Sequence, residues 1–274
     1  MSSEVRLFAG DDPAMQEAFR NARANFKYFW REVTWERQRI IPGLMMANIK
    51  IQFADPPAVA ASHGQGAEHM WIGDIEFDGK YVYGTLLNQP NWLKSFNEGQ
   101  PVKMGATRIS DWMYVLGTGE VYGAFTVNLL RAHMGRGERR QHDEAWGLDF
   151  GDAKDIRIIP EDWEGAGGKK KGFFGKLFGG SKAPVDLQSI EHPMAMHMAE
   201  SLGDFFQSNP SEMNSPDDKG WTLLHRMAAA GSTACVQKLL QFGADKNAKS
   251  EEGLTPLQLA KGLGWRDVTR LLMA

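Results

Sequence analysis

The sequence predicts an α+β domain followed by an all-α domain, and three observations support this. Residues 1–164 open with one helical pattern and continue with alternating segments that are typical of antiparallel strands. Glycine and lysine then dominate residues 165–184, which predicts a flexible linker. Residues 185–274 contain a repeat with a period of 33 residues, and a period of that length is typical of stacked helices.

The composition is that of a folded protein without a strong overall charge. The 274 residues are 42% hydrophobic and 24% charged, and the net charge is -3. Because no global positive field is present, we expect no nucleic-acid partner. The single cysteine, Cys235, excludes an internal disulfide, and we find no signal peptide and no long apolar segment. These features favour a cytoplasmic protein.

The first element is predicted to be a long helix over residues 13–39. Asp12 can cap it and Pro13 can open it. Its aromatic residues, such as Phe26 and Phe29, recur at helical spacing and predict a face that packs against a core.

From Leu44 onward the period changes to that of strands. Asp78-Gly79 and Gly117–Gly119 predict two hairpin turns, and we expect a sheet covered on one face by helices. Residues 56–68 have little periodicity and predict an exposed loop. We also expect a short helix near residues 126–137 and a possible last strand over residues 154–160.

The internal repeat aligns two segments at an offset of 33 residues. Gly220, Thr222, Leu224, Gly231 and Leu239 align with Gly253, Thr255, Leu257, Gly264 and Leu272. This pattern resembles the ankyrin repeat over most of residues 216–274. Each repeat is then expected to be a turn and two antiparallel helices, capped by its threonine and turned by its glycine.

A third repeat is expected upstream, because two repeats bury too little core. We interpret residues 192–217 as this degenerate first repeat, which makes about three repeats in all. Two positions depart from the family pattern: Leu223 replaces a proline and Gln258 replaces a histidine.

The ankyrin resemblance implies a surface that binds a protein partner through turns and inner helices. The residues at those positions are Asp218, Lys219, Trp221, Arg226, Glu251, Glu252, Leu254 and Gln258. An exposed Trp221 would be a good interface anchor. In the alternative interpretation Trp221 packs on Leu254, and the short stack only supports the first domain.

The strand region carries a second resemblance. The segments "EHMWIGDIEFDGKYVYGTLLNQP", "VKMGATRISDWMYV" and "GEVYGAFTVNLL" resemble the YegJ-like bacterial domain of unknown function, of the DUF2314 type, over about residues 25–136. This resemblance implies no particular activity.

The residues of the first domain contain no motif that predicts catalysis. We expect no cofactor, and His63 and His69 are too few for a metal site. Asp111 could act as a general base, although it also suits a turn before a strand. If a ligand pocket exists, we expect it at Trp71, Asn88, Trp92 and Asp111.

The linker "GGKKKGFFGKLFGGSK" admits two interpretations. Its phenylalanines and lysines could adsorb weakly to anionic membranes, whereas its glycines weaken any helix and favour a simple connection.

Two function hypotheses follow from these patterns. The first is a bacterial interaction protein without enzymatic activity, for example an immunity or adaptor protein that masks a toxin or effector. The alternative is a first domain that binds or turns over a small molecule while the repeats localise it.

Overall fold

A computed structural model describes residues 12–63, 66–165 and 186–274 of the chain. The chain divides into two compact units, residues 1–158 and residues 159–274. Apart from Gly165, the predicted linker over residues 165–184 lies outside the described residues, and so does the hypothesis that it adsorbs to lipid.

The first unit begins with helix α1, Pro13–Glu36. The side chain of Asp12 accepts hydrogen bonds from the backbone of Ala14 at 2.9 Å and Met15 at 3.1 Å, so the predicted cap is present. The helix ends three residues earlier than predicted, with Arg37 as its C-cap. Its aromatic face is buried as expected, because it packs against the sheet.

Within the described residues, six strands form one antiparallel sheet in the order β4-β3-β2-β1-β5-β6. The strands are β1 (Leu44–Phe53), β2 (Glu68–Phe77), β3 (Tyr81–Leu86), β4 (Pro101–Gly105), β5 (Ile109–Leu116) and β6 (Val121–Gly123). Both predicted hairpins are present. In the β2–β3 turn, the Asp78 carboxylate accepts from the backbone of Lys80 at 2.9 Å and Tyr81 at 2.7 Å, while Gly79 takes a φ of 95°.

Helix α1 covers one face of this sheet. The rings of Phe29 and Trp112 lie 5.8 Å apart, and the Trp112 indole donates to the Ala22 carbonyl at 2.8 Å. Alternation along β5 sends the neighbouring side chains to the opposite face. There they join a second buried cluster made by Met113, Val115, Val121, Ala124, Val127, Leu148 and Phe150. The expectation of a sheet covered on one face is therefore wrong at the β5–β6 end.

Helix α3, Phe125–Ala132, is the short helix that the sequence predicts, beginning one residue earlier. Three other local expectations need correction. The predicted loop contains helix α2, Pro57–His63, because an alanine-rich run after a proline forms a helix without an apolar stripe. Residues 154–160 form no strand, and their carbonyls instead accept from the Gly123 backbone and the Tyr114 hydroxyl. Helix α4, Arg136–Trp146, was not predicted because its residues are almost all polar.

The second unit is helical. Its helices are α5 (Pro193–Ser208), α6 (Leu223–Ala230), α7 (Thr233–Gln241), α8 (Pro256–Leu263) and α9 (Arg266–Met273). Helices α5, α7 and α9 pack as one row and α6 and α8 as a second row. The degenerate first repeat thus contributes one continuous helix, α5, where later repeats have two. The predicted fold class, an α+β domain followed by an all-α repeat stack, is confirmed.

The second unit starts before the predicted linker. Residues 161–165 form a 3₁₀ turn, in which the ring of Trp163 meets that of His192 edge to face at 4.4 Å. No helix in the described part of the chain is both long and apolar enough to cross a bilayer.

Candidate functional site

Two tight turns lie side by side in the repeat stack. In the first, the Asp217 carboxylate accepts from the backbone of Lys219 at 2.9 Å and of Trp221 at 2.8 Å. The second turn closes through a bond from Gly253 to the Ser250 carbonyl at 2.9 Å. A bond from the Glu251 backbone to the Lys219 carbonyl at 3.0 Å ties the two turns together. The turns therefore form one continuous backbone ridge.

Asp217 also anchors this ridge to the helix that follows. Its second carboxylate oxygen accepts from Arg226 of α6 at 2.7 Å. Burial opposes ionisation of this carboxyl, but the bonds from Arg226, Trp221 and Lys219 outweigh it and hold the pKa of Asp217 below its ordinary value. The cation of Arg226 is therefore compensated within the stack.

Helices α6 and α8, the first helices of the second and third repeats, each begin with a capping box, and the two boxes differ in one residue. In the second repeat, Thr222 donates from its backbone to His225 Nδ1 at 3.1 Å, and His225 Nε2 reaches the Leu254 carbonyl at 3.1 Å. Burial lowers the pKa of His225, which favours the neutral ring that this arrangement requires. The histidine thus links one repeat to the turn of the next.

Gln258 has the corresponding role in the third repeat. The Thr255 backbone donates to its side-chain oxygen at 2.8 Å, and its own backbone donates to the Thr255 hydroxyl at 3.3 Å. Glutamine in place of the family's histidine at position 258 therefore keeps the cap but does not supply a bond like that from His225 to the next turn.

The predicted contact residues differ in their exposure. Asp218, Glu251 and Gln258 are exposed, while Lys219, Arg226, Glu252 and Leu254 are half-buried. Trp221 is only 4% exposed, and its ring stacks on His225 at 6.3 Å. The expectation of an exposed tryptophan anchor is therefore wrong, because the ring is used to pack the stack.

In the first unit, Asp111 is a buried structural acceptor on β5. One oxygen accepts from the backbone of Trp112 and of Phe125, each at 2.8 Å. The other accepts from Thr126 through its backbone at 2.8 Å and its hydroxyl at 2.5 Å. These bonds satisfy the first amides of α3, where no local side chain does so. Asp111 lies inside a strand, so the alternative of a turn residue is also wrong.

Lys50 lies beside Asp111 on the neighbouring strand β1. Its ammonium donates to the Thr126 hydroxyl at 3.2 Å and lies 5.0 Å from the centre of the Trp71 ring. Burial lowers the pKa of Lys50, and the charge of Asp111 opposes that shift. Burial likewise raises the pKa of Asp111, which the lysine opposes. The two groups form a compensated pair, in which Asp111 is fully buried and Lys50 is half-buried.

The four predicted pocket residues do not share one open cavity, because Asp111 is fully buried and its oxygens are occupied. Asn88 is exposed and accepts from the Trp71 backbone at 3.4 Å. The Trp92 side chain is 37% exposed, and the Trp92 backbone donates to Glu68 at 3.4 Å. The general-base role for Asp111 loses its support for the same reason.

Of the two histidines that the sequence offered as metal ligands, only His69 has a described side chain. The ring of His69 stacks on Phe19 with 4.8 Å between centroids, and the side chain of His63 lies outside the described residues. Among the described residues, no group of three His, Cys, Asp or Glu side chains could hold a metal ion together.

Sequence reasoning missed one group of charged residues. Arg131, Arg136, Arg139 and Arg140 line a groove of about 580 Å³ beside α4. The spacing of 136, 139 and 140 is a helical signal that could have identified it.

Comparison with known proteins supports both parts of this architecture. Residues 12–150 match the family of uncharacterised proteins conserved in bacteria, DUF2314, and residues 208–260 match ankyrin repeats. A putative ankyrin repeat protein of Neisseria meningitidis serogroup B is 38% identical over 95% of this chain and 93% of the relative.

Two relatives match one part of the chain each. The uncharacterised protein YegJ of Escherichia coli K12 is 35% identical over 28% of this chain and 51% of its own length. Protein phosphatase 1 regulatory subunit 27 of Mus musculus is 29% identical over 33% of this chain and 58% of its own length. The DUF2314 match covers residues 12–150, and the Neisseria relative is similar over almost the whole chain. The chain therefore belongs to the DUF2314 family of bacterial proteins and carries ankyrin repeats at its C-terminal end.

Proposed function

We propose that this chain is a bacterial cytoplasmic interaction protein whose repeat stack binds a partner protein. The supporting observation is the ridge of two linked turns, whose exposed tips carry Asp218 and Glu251. Neither carboxylate forms an ion pair within the described part of the chain, so both remain available to a basic surface. Ankyrin repeats generally work by binding proteins, and the mouse relative is named as a regulatory subunit of an enzyme.

The finer proposal is that the chain acts as an immunity or adaptor protein and masks a toxin or effector. A rigid ridge that is already hydrogen-bonded loses little entropy on binding, which favours tight masking. The alternative, a first domain that binds a small molecule, no longer rests on Trp71, Asn88, Trp92 and Asp111; its support comes from the groove beside α4.

The test uses the full-length protein with a photo-crosslinking amino acid in place of Lys249, which is exposed beside the second turn and leaves Asp218 and Glu251 intact. Partners that crosslink there should bind at least tenfold more weakly to the double variant Asp218→Asn, Glu251→Gln. The matched control is Glu200→Gln, Asp204→Asn, which removes two exposed carboxylates from α5. Equal losses in both double variants, or no crosslinked partner at all, would refute binding through the turns.

The masking role has a separate readout. The crosslinked partner should inhibit growth when expressed alone, and co-expression of the wild-type chain should restore growth. The Asp218→Asn, Glu251→Gln variant should restore it less well than the control variant. A partner that is harmless by itself would leave the interaction intact but contradict the masking role.

A further inference from the structure

An arginine-lined groove lies in the first unit, beside the β5–β6 turn and helix α4. Its volume of about 580 Å³ is within the range of small-molecule sites. Its walls come from Thr118 and Gly119 of the turn, from α4, and from residues 147–151.

Three arginines reach the groove from one side of α4. Residues 136, 139 and 140 stand at positions i, i+3 and i+4, which lie on the same face of a helix. Arg131 of α3 also lines the groove and is only 1% exposed. Four arginines therefore line the groove.

The acidic residues of the groove are already neutralised. Arg131 holds Asp143 with two bonds, at 2.8 and 2.6 Å. Asp149 pairs with Arg157 at 3.0 Å, and Glu144 pairs with Arg140 at 3.7 Å. None of these carboxylates is left to compensate another cation.

Two positive charges remain uncompensated. Arg136 is exposed and makes no hydrogen bond or ion pair with any described residue. Arg139 donates to the backbone carbonyls of Arg131 at 3.0 Å and Met134 at 3.3 Å. Those carbonyls hold the guanidinium in place without cancelling its charge. A pair of cations on one face of a groove favours an anion with two negative charges.

We propose that this groove binds a small divalent oxyanion, either a phosphate group or a dicarboxylate, between Arg136 and Arg139. Arginine suits this ligand because its planar fork gives two parallel hydrogen bonds to one phosphate or carboxylate. The ion pair between the buried Arg131 and the half-buried Asp143 then serves as the fixed base of the site. All of these residues belong to the first unit, so the proposal goes beyond partner binding by the repeats.

The test is a titration of the full-length, ¹⁵N-labelled protein with inorganic phosphate and, separately, with malonate. Sodium chloride at the same ionic strength is the reference. The amide signals of Gly119, Gly147 and Gly151 should shift and saturate with at least one of the two anions. Saturation by phosphate alone or by malonate alone identifies which of the two anions the site prefers. Saturation by both shows that the site accepts a divalent oxyanion of either kind.

The variant Arg136→Gln, Arg139→Gln should weaken this binding at least tenfold. The charge-matched control is Arg20→Gln, Arg270→Gln, because both of these arginines are exposed and pair with acids on their own helices. Arg136→Gln alone removes a group without structural bonds, so it tests the site even if the double variant folds poorly; it should weaken binding at least threefold. Shifts no larger than those with chloride, or equal weakening in the control, would overturn the proposal.

Discussion

At the scale of single residues, Asp111 shows how one carboxylate can hold a domain together. It satisfies the first amides of α3, orders the Thr126 hydroxyl and balances the charge of Lys50. When a buried acceptor with this many donors is removed, its buried donors are left unsatisfied, and the half-buried Lys50 loses its counter-charge.

Asp111→Ala should lower the free energy of unfolding by about 3–5 kcal/mol, because it leaves the buried amides of Phe125 and Thr126 without an acceptor and removes the counter-charge of the half-buried Lys50. Urea denaturation followed by circular dichroism measures this change. Glu98→Ala removes an exposed carboxylate and serves as the control. A loss below about 1 kcal/mol, typical of an exposed group, would contradict the anchoring role.

His69 provides a prediction about pH. Burial, followed by the charge of Lys50, lowers the pKa of His69 to about 4 from its ordinary 6.5. Between these values the unfolded chain binds a proton that the folded chain does not, so stability falls as pH falls from about 6.5 to about 4, by at most about 1.4 kcal/mol per pH unit. Partial exposure of the ring reduces this slope.

The His69→Gln variant should show a flatter dependence of unfolding free energy on pH in that window than the wild type does. Proton NMR of the His69 ring measures its titration midpoint directly. A midpoint near 6.5 would contradict the depressed pKa.

At the scale of elements, the repeat helices are joined by glycines whose conformation other residues rarely adopt. Gly231 ends α6 with a φ of 70°, and an added Cβ would lie 2.4 Å from the Trp265 ring. That ring cannot easily move, because it is 2% exposed and donates to the Ala229 carbonyl at 2.9 Å. Gly243 after α7 has a φ of 87° and open space where a Cβ would be.

Substituting these two glycines by alanine distinguishes the energetic cost of backbone strain from that of steric overlap. Gly243→Ala should cost about 1–2 kcal/mol for the left-handed conformation alone. Gly231→Ala should cost about 1–3 kcal/mol more, because the methyl group overlaps the fixed indole. Urea denaturation of both variants measures the difference, and equal losses would show that the Trp265 ring yields without cost.

At the scale of the whole molecule, the chain consists of two compact units, and its one cysteine reports on the second. Cys235 is fully buried in α7, and burial raises the pKa of its thiol to about 11. Because the thiolate is the reactive form, labelling requires that this unit open. The rate of labelling therefore follows the second unit alone.

Trp163→Ala should destabilise the second unit by about 3 kcal/mol, because this ring packs against His192. Thiol labelling of Cys235 should then become about a hundredfold faster under native conditions. Asp111→Ala is the matched control, since it weakens the first unit and should leave the labelling rate unchanged. If the Trp163 variant changes only the unfolding transition of the first unit, residues 159–165 belong with that unit instead.

The sequence by itself determined the features that depend on neighbouring residues. The cap and aromatic face of α1, both hairpin turns and the 33-residue repeat follow from local periodicity and turn chemistry. Helices α2 and α4 could not be predicted from the sequence, because their residues form no apolar stripe.

Only the tertiary structure decided how distant residues are used. Asp111 meets its main partners 14 and 15 positions further along the chain, so its role depends on how β5 and α3 pack. Trp221 is buried against the stack. Arg136 and Arg139 are available to an anion only because the nearby carboxylates of Asp143 and Asp149 pair with other arginines. The sequence could name candidate contact residues from the repeat pattern, but burial and charge compensation are properties of packing, which local patterns do not encode.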